Sequence, residues 1–303
     1  MLLSVIIPLF NSETTLESLI KELDKALVEL DYEVVLIDDG STDSTIKVAK
    51  SLLPKYKQLK LIVLRKNFGE HNAVICGLNY CSGEQAVIID DDLQNPPVEI
   101  LKLRKTLATG YDVVYAQYEK KQHSLFRNWG GKLNHFFVNL FFEKPKSLYL
   151  NSFKIINRAV INEIVKYQGP FPYIDGLVLR CTNNLGTVKV NHHKRKSGKS
   201  GYTFKKLVSL FFNMFFNFSP KPLRFMTIIG AFIFLGSFVI SLIFLIQKIY
   251  SPEIEAGWTS IIIAIMGLGG LQLLFIGLVG EYISKLYLDQ NRTPQFVVKE
   301  IIE

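Results

Sequence analysis

Two short acidic runs hold the residues of this chain best suited to chemistry. Asp90-Asp91-Asp92 follows directly on the apolar stretch 86–89, with Leu93-Gln94 behind it. On an extended segment, residues i and i+2 project to the same side. Asp90 and Asp92 can therefore approach one hard cation together, and Gln94 can add a neutral oxygen. Such an oxygen set suits a magnesium or manganese ion, which typically also keeps substrate phosphates in its shell. An acidic turn capping a helix begun by Pro96-Pro97 is the alternative at this level. The second run, Asp38-Asp39-Gly40-Ser41-Thr42-Asp43, follows the apolar stretch 32–37. In an open α/β sheet, ligands bind beyond the carboxyl ends of the strands, so both runs are expected on one rim.

The elements that must position these runs alternate regularly. A strand over 3–8 leads past Asn11 to a helix over 14–30, where Thr14 and Glu17 have capping-box spacing. The strand 32–37 is followed by a helix over 43–53, and the strand 59–64 ends on Arg65-Lys66-Asn67-Phe68-Gly69. A helix over 70–80, the strand 86–89, a helix over 97–108 and a strand over 113–116 complete the series. Asn67 reads equally well as the N-cap of its helix. Such alternation predicts an α/β fold with a mostly parallel sheet covered by helices. The chain shows no internal repeat and no low-complexity segment.

Composition changes sharply near Ser219. Stretches 223–247 and 258–283 are almost continuously apolar, and roughly 20 such residues cross a bilayer. Two runs joined by one short loop predict a two-helix transmembrane hairpin better than two buried core helices. The segment 204–218 carries lysines at its start and Phe211, Phe212, Phe215, Phe216 and Phe218 along it, which suits a helix lying in the bilayer interface. The aromatic segment 133–142 reads equally as interfacial or core. The expected division is a catalytic domain over 1–202, a juxtamembrane helix and linker over 203–222, the hairpin within 223–284 and a tail over 285–303.

The net charge is +8. No helix-turn-helix, zinc-finger or RNA-stacking motif accompanies it, so nucleic acid is not the expected partner. A lipid bilayer and a phosphate-rich substrate account for the charge better. Lys194, Arg195, Lys196, Lys199, Lys205, Lys206 and Lys221 precede the first apolar run, with Arg224 at its start, and Lys285, Arg292 and Lys299 follow the second. The loop 251–255 between the runs is acidic apart from Lys248 at its edge, so both termini are expected in the cytoplasm. The N-terminus has neither the basic region nor the cleavage site of a signal peptide. Cys76, Cys81 and Cys181 lack metal-ligand spacing and are expected as reduced, partly buried thiols.

Three ordered motifs carry a family resemblance: Val5-Ile6-Ile7-Pro8-Leu9-Phe10-Asn11, Asp38-Asp39-Gly40-Ser41-Thr42-Asp43 and Asp90-Asp91-Asp92-Leu93-Gln94-Asn95-Pro96-Pro97. Together they resemble the family 2 glycosyltransferases of GT-A fold. The closer resemblance is to the polyprenyl-phosphate glycosyltransferases, that is, the dolichol-phosphate mannose synthases and bacterial undecaprenyl-phosphate glycosyltransferases. It runs in order over nearly the whole chain and includes the apolar hairpin. It implies a Rossmann-like GT-A catalytic domain, a nucleotide-sugar donor (a UDP-sugar) and a polyprenyl phosphate acceptor. It also implies a homo-oligomer in the bacterial inner membrane, crossing it more than once and serving cell-envelope glycans such as lipopolysaccharide O-antigen.

The same resemblance distributes roles. Pro8, Phe10, Asn11, Asp38, Asp39 and Asn67 fall on the nucleotide side, and Asp90, Asp92 and Gln94 on the metal and diphosphate. Arg195-Lys196-Ser197-Gly198-Lys199-Ser200 is similar to the family's Arg-x-x-Gly-x-Ser loop, so Arg195, Lys199 and Ser200 would close over the donor phosphates. Lys120, Lys121, Arg127 and Lys132 fall where the family places its acceptor-phosphate residues. Asp91, Asp92, Arg127 and Arg195 form the expected catalytic set. A lipid phosphate is already an anion and needs no general base. A saccharide or protein hydroxyl would need one, for which Asp91 or Asp175 is the candidate. A non-catalytic lipid-binding scaffold is the rival of another class. The chain departs from the family at Gly130-Gly131, where the dolichol enzymes carry a serine, and at Ser152-Phe153-Lys154, which stands for Asp-Phe-Arg. A third departure is Asp175, near which the glucosyl enzymes carry an arginine. Asp175 could hydrogen-bond a sugar hydroxyl or amino group, or serve as a structural cap.

Overall fold

The computed structural model describes residues 2–118, 150–193, 257–291 and 293–303, with scattered positions between 228 and 250. The four apolar runs of the N-terminal half form the centre of one sheet: β1 (Leu3–Leu9), β2 (Tyr32–Asp38), β3 (Leu59–Leu64) and β4 (Gln85–Ile88). β1 pairs in parallel with both β2 and β4, and β2 with β3. Their apolar residues run on without alternation because both faces of the sheet are covered. The covering helices are α1 (Leu16–Leu27), α2 (Thr45–Leu52) and α3 (Glu70–Tyr80). In α1, Leu16, Leu19, Ile20, Leu23 and Leu27 are buried, a single stripe at helical spacing.

Beyond β4 the sheet becomes mixed. A 3-10 turn at Pro97–Glu99 leads into α4 (Ile100–Leu107) and β5 (Val113–Tyr118). Then follow β6 (Lys154–Asn157), α5 (Arg158–Ile164), α6 (Ile174–Cys181) and β7 (Leu185–Val190). β6 lies antiparallel between β4 and β5, and β7 adds in parallel to β5. The order is β7-β5-β6-β4-β1-β2-β3-β8, where β8 is Val298–Ile302, antiparallel to β3.

β8 lies within the stretch 285–303 expected as the C-terminal tail. Met1–Val208 and Asn291–Glu303 form one compact unit, and Ser209–Gln290 the other. The second unit contains α7 (Trp258–Gln290). Within α7, Leu268–Leu288 spans 21 residues at a mean hydropathy of 1.3, enough by length and composition to cross a bilayer. Ile261, Ile265, Ile276 and Ile283 along α7 are each more than half exposed. Among the described residues α7 is the one helix that meets this criterion. The expected helices 133–142 and 204–218 lie outside the described residues, as does much of the first apolar run.

The helix expected to start at Thr14 begins two residues later. α1 begins at Leu16, with Thr15 in the cap position and no side-chain cap bond. The Ser12 carbonyl instead receives the amides of Thr15 and Leu16, at 3.2 and 3.1 Å. The thiols are free, with Cys76 and Cys81 buried, but Cys181 is exposed rather than partly buried.

Candidate active site

The carboxyl ends of β1, β2, β3 and β4 form one rim, and its loops are tied to one another. Asn11, after β1, has φ 56°. Its Oδ1 accepts from the Thr42 amide at 2.9 Å, and its own amide donates to Ser41 Oγ at 3.0 Å. Pro8 lies on β1 opposite Ile37, and Phe10 stays 48% exposed at the strand's end. Asp38 ends β2 fully buried and accepts from the Ser41 amide at 3.2 Å; burial raises its pKa.

Asp39 spans two loops. Its Oδ1 accepts from the Phe68 amide at 2.7 Å and its Oδ2 from the Gly69 amide at 2.9 Å. Burial pushes its carboxyl up to about 6 against those bonds. Gly40, at φ 71°, lets the same loops meet backbone to backbone. A Cβ there would lie 2.6 Å from Asn67 N and 2.8 Å from the Lys66 carbonyl carbon. Gly40→Ala is expected to lose more than about 2 kcal/mol, since a non-glycine residue in this conformation costs roughly 1–2 kcal/mol before any clash. Denaturant unfolding against wild type checks this. The N-cap alternative for Asn67 is corrected: Gly69, at φ 95°, holds the cap position of α3.

The acidic run after β4 is held residue by residue. Asp90 Oδ2 accepts from Ser152 Oγ at 2.6 Å. Burial, then the charge of Glu70 and the neighbouring Asp92 and Asp91, push the Asp90 carboxyl up to about 8. Asp91 Oδ2 accepts from Ser12 Oγ. Asp92 is buried, and its Oδ1 accepts from the Gln94 amide at 3.0 Å. That tight turn forces the buried Leu93 to φ 57°, a strain of about 1–3 kcal/mol that persists only where surrounding contacts hold it.

Gln94 meets the segment that leads toward Arg195. The His193 amide donates to the Gln94 carbonyl at 2.8 Å, and Gln94 Nε2 donates to the His193 carbonyl at 3.5 Å. Asn191 Nδ2 donates to Glu99 Oε1 at 2.8 Å. The His192 ring lies 4.3 Å from that of Tyr118, whose hydroxyl donates to Asn95 Oδ1 at 2.8 Å. Residues 191–193 are thus knit onto the acidic turn. Arg195, Lys199, Ser200, Lys120, Lys121, Arg127 and Lys132 lie outside the described residues. Among the described residues, no group of three His, Cys, Asp or Glu side chains gathers for a metal.

Five residues enter that sequence reasoning flagged only as a departure or did not name. β6 runs antiparallel to β4 with Lys154 opposite Ile88, which carries Ser152 alongside Asp90. Lys154 Nζ forms an ion pair with Asp175 Oδ1, their side chains 3% and 10% exposed. Tyr115 OH donates to the same oxygen at 3.1 Å. Asp175 lies in the first turn of α6 but does not cap it; Tyr173 holds that position. The Tyr173 ring meets His71 edge-on at 5.3 Å. Once β6 is paired to β4, Ser152 and Lys154 follow from the pleat, and without that pairing nothing local points to their partners.

Residues 4–165 match the model of glycosyl transferase family 2, and residues 221–286 that of the GtrB C-terminal hairpin. The undecaprenyl-phosphate 4-deoxy-4-formamido-L-arabinose transferase of Proteus mirabilis is 28% identical over 305 residues, covering 99% of this chain and 93% of that protein. The glycosyltransferase CsbB of Bacillus subtilis is 31% identical over 302 residues, covering 99% and 92%. The crystal structure of glucosyl-3-phosphoglycerate synthase from Mycobacterium tuberculosis, in complex with manganese and UDP-glucose, superposes with a TM-score of 0.53 at 19% identity. It covers 69% of this chain and 74% of that one, a likeness of fold. With more than half of its length matched by the family model and nearly all of it aligned with CsbB, the chain belongs to glycosyl transferase family 2.

Proposed function

We propose that this glycosyltransferase is membrane-anchored and inverting, and moves one sugar from a nucleotide diphosphate-sugar, a UDP-sugar, onto undecaprenyl or a similar polyprenyl phosphate at the cytoplasmic face. One observation carries the reading. Asp90 and Asp92 close the central strand β4 in a chain that aligns over 99% of its length with undecaprenyl-phosphate transferases.

The acidic turn fits a divalent ion. Asp90 accepts from a neutral hydroxyl and is crowded by Glu70, Asp91 and Asp92, a concentration of negative charge that a cation would offset. Two carboxylates at i and i+2 are the partial set that magnesium or manganese takes alongside substrate phosphates. Asp90 and Asp92, with Gln94 beside them, would hold it, and when bound it supplies Lewis-acid stabilisation of the departing diphosphate. The chain's own residues prepare the rest. Ser152 fixes Asp90, the Gln94 amide fixes Asp92, and Asn11 and Asp39 shape the nucleoside side. Arg195, Lys199 and Ser200 would steady the diphosphate, and Arg127 with Lys120, Lys121 and Lys132 the acceptor phosphate. An acceptor phosphate oxygen attacks the anomeric carbon as the bond to the diphosphate breaks. One in-line displacement inverts the centre, and no side chain takes a proton. The hydroxyl-acceptor alternative has less support, because Asp91 accepts from Ser12 and Asp175 is paired with Lys154.

The course of the chain supports the hairpin. It leaves the sheet-bearing unit after Val208 and rejoins it at Asn291. Any crossings in between must then be even in number. α7 would supply one and the stretch 223–247 the other, and positive-inside charge sets both termini in the cytoplasm. Cysteine-accessibility labelling should place a probe at Ser251 outside and one at Asn291 inside; both on one side would indicate a re-entrant hairpin.

The test of the reaction is a donor screen with purified full-length protein, undecaprenyl phosphate and manganese or magnesium. An acid-labile, lipid-linked sugar is expected. The pH–rate profile should show no catalytic-base limb near neutrality beyond the acceptor's own second ionisation, near pH ~6. Transfer to undecaprenol, which lacks the phosphate, at a comparable rate would overturn the proposal.

A further inference from the structure

The segment 293–303 grips two loops of the catalytic unit. On one side β8 lines the edge of β3, with Ile302 opposite Leu61 and Val298 opposite Leu64. The Val297 carbonyl then accepts from the Arg65 amide at 2.9 Å, at the start of the loop 65–69. This is the loop whose Phe68 and Gly69 amides hold Asp39. On the other side the primary amide of Gln295 donates both of its hydrogens. Nε2 lies 2.7 Å from the Tyr167 carbonyl and 2.9 Å from that of Gly169.

Those two carbonyls belong to the connection between α5 and α6, which forms no strand and must find its backbone partners elsewhere. The same connection is met from the opposite direction by Asn72 on α3. Asn72 Nδ2 reaches the Phe68 carbonyl at 2.8 Å and the Pro170 carbonyl at 3.5 Å. Four residues after Gly169, Tyr173 packs on His71 and opens α6, which carries Asp175.

We infer that Gln295 is a positioning residue for the donor side of the site. It fastens the C-terminal segment to the 165–173 connection while Val297 fastens it to the 65–69 loop, so the two loops are set together by one strand of chain. The inference rests on the proposed reaction. A primary amide is suited to this position because it presents two donors to two carbonyls. A carboxylate there would present acceptors to acceptors and lose both of these bonds.

The experiment compares full-length wild type, Gln295→Glu and Gln295→Lys, the last keeping hydrogen-bond donors within reach. Gln295→Glu should raise KM for the nucleotide-sugar about tenfold, roughly 1.4 kcal/mol. Its kcat at saturating donor and its KM for undecaprenyl phosphate should stay within about twofold. Gln295→Lys should return the donor KM to near wild type. Hydrogen–deuterium exchange, read without any substrate, should quicken over 165–173 in Gln295→Glu and not in Gln295→Lys. Equal changes in donor and acceptor KM, or unchanged exchange over 165–173, would overturn the role of Gln295. Absence of transfer by wild type itself would count against the reaction instead, and the exchange comparison still decides the tie.

Discussion

Asp92→Asn is expected to lower transfer by two to three orders of magnitude and to leave the fold intact. The two effects separate because the residue does two jobs with different atoms. Asn keeps the shape of Asp and can still accept the Gln94 amide, now 3.0 Å from Asp92 Oδ1, so the turn that holds Leu93 at φ 57° survives. What disappears is one of the two negative charges that would face the proposed cation. Lewis-acid stabilisation of a leaving group is worth several kcal/mol, and each 1.4 kcal/mol lost is about tenfold in rate. The pH dependence of metal activation has a definite sign. With the Asp90 carboxyl pushed up to about 8, a proton competes with the cation below that value. The half-saturating metal concentration should therefore fall as pH rises from 6 toward 8. Metal titrations of turnover, with thermal melts as the control for folding, check both points. Activity that survives EDTA in wild type, together with near-normal turnover by Asp92→Asn, would remove the metal from the mechanism.

The centre of the sheet was legible in the sequence because each parallel strand is a mostly apolar run bounded by polar turns, and α1 carries a periodic apolar stripe. The acidic runs after β2 and β4 were legible for the same reason, since a strand end is a local feature. Pairings between distant segments were not. Val298–Ile302 reads Val-Lys-Glu-Ile-Ile, with no period-2 alternation to mark a strand, and nothing within those five residues names β3 as the partner. Ser152 and Lys154 stood out as replacements in a familiar element. Their partners Asp90 and Asp175 lie 62 and 21 residues away and became visible only with the register of β4 and β6. The start of α1 shows tertiary structure moving a local boundary: the carbonyl of the buried Ser12 takes the amides of Thr15 and Leu16, and Ser12 donates its own amide to Thr45 Oγ1 at 2.7 Å.

Lys154→Ala should be the most destabilising substitution near the site, by about 3–5 kcal/mol, because it strands a buried carboxylate. Asp175 would keep only the Tyr115 hydroxyl in place of an ion pair whose side chains are 3% and 10% exposed. Domains of this kind are stable by only about 5–15 kcal/mol, so the melting transition should move far toward ambient temperature. The double variant Lys154→Met, Asp175→Leu replaces the pair with apolar groups. Since desolvation offsets most of the attraction in a buried ion pair, it should recover stability to within about 1–2 kcal/mol of wild type. Transfer is the discriminating measurement. Lys154 Nζ and Tyr115 OH both reach Asp175 Oδ1, and on the proposed reading Oδ2 would meet a hydroxyl or amino group of the donor sugar. The double variant is therefore expected to fold and yet to remain at least about tenfold slower, with the loss falling on donor KM and kcat rather than on the acceptor. Full recovery of transfer along with stability would show that Asp175 serves Lys154 alone, and that sugar selection is made elsewhere on the rim.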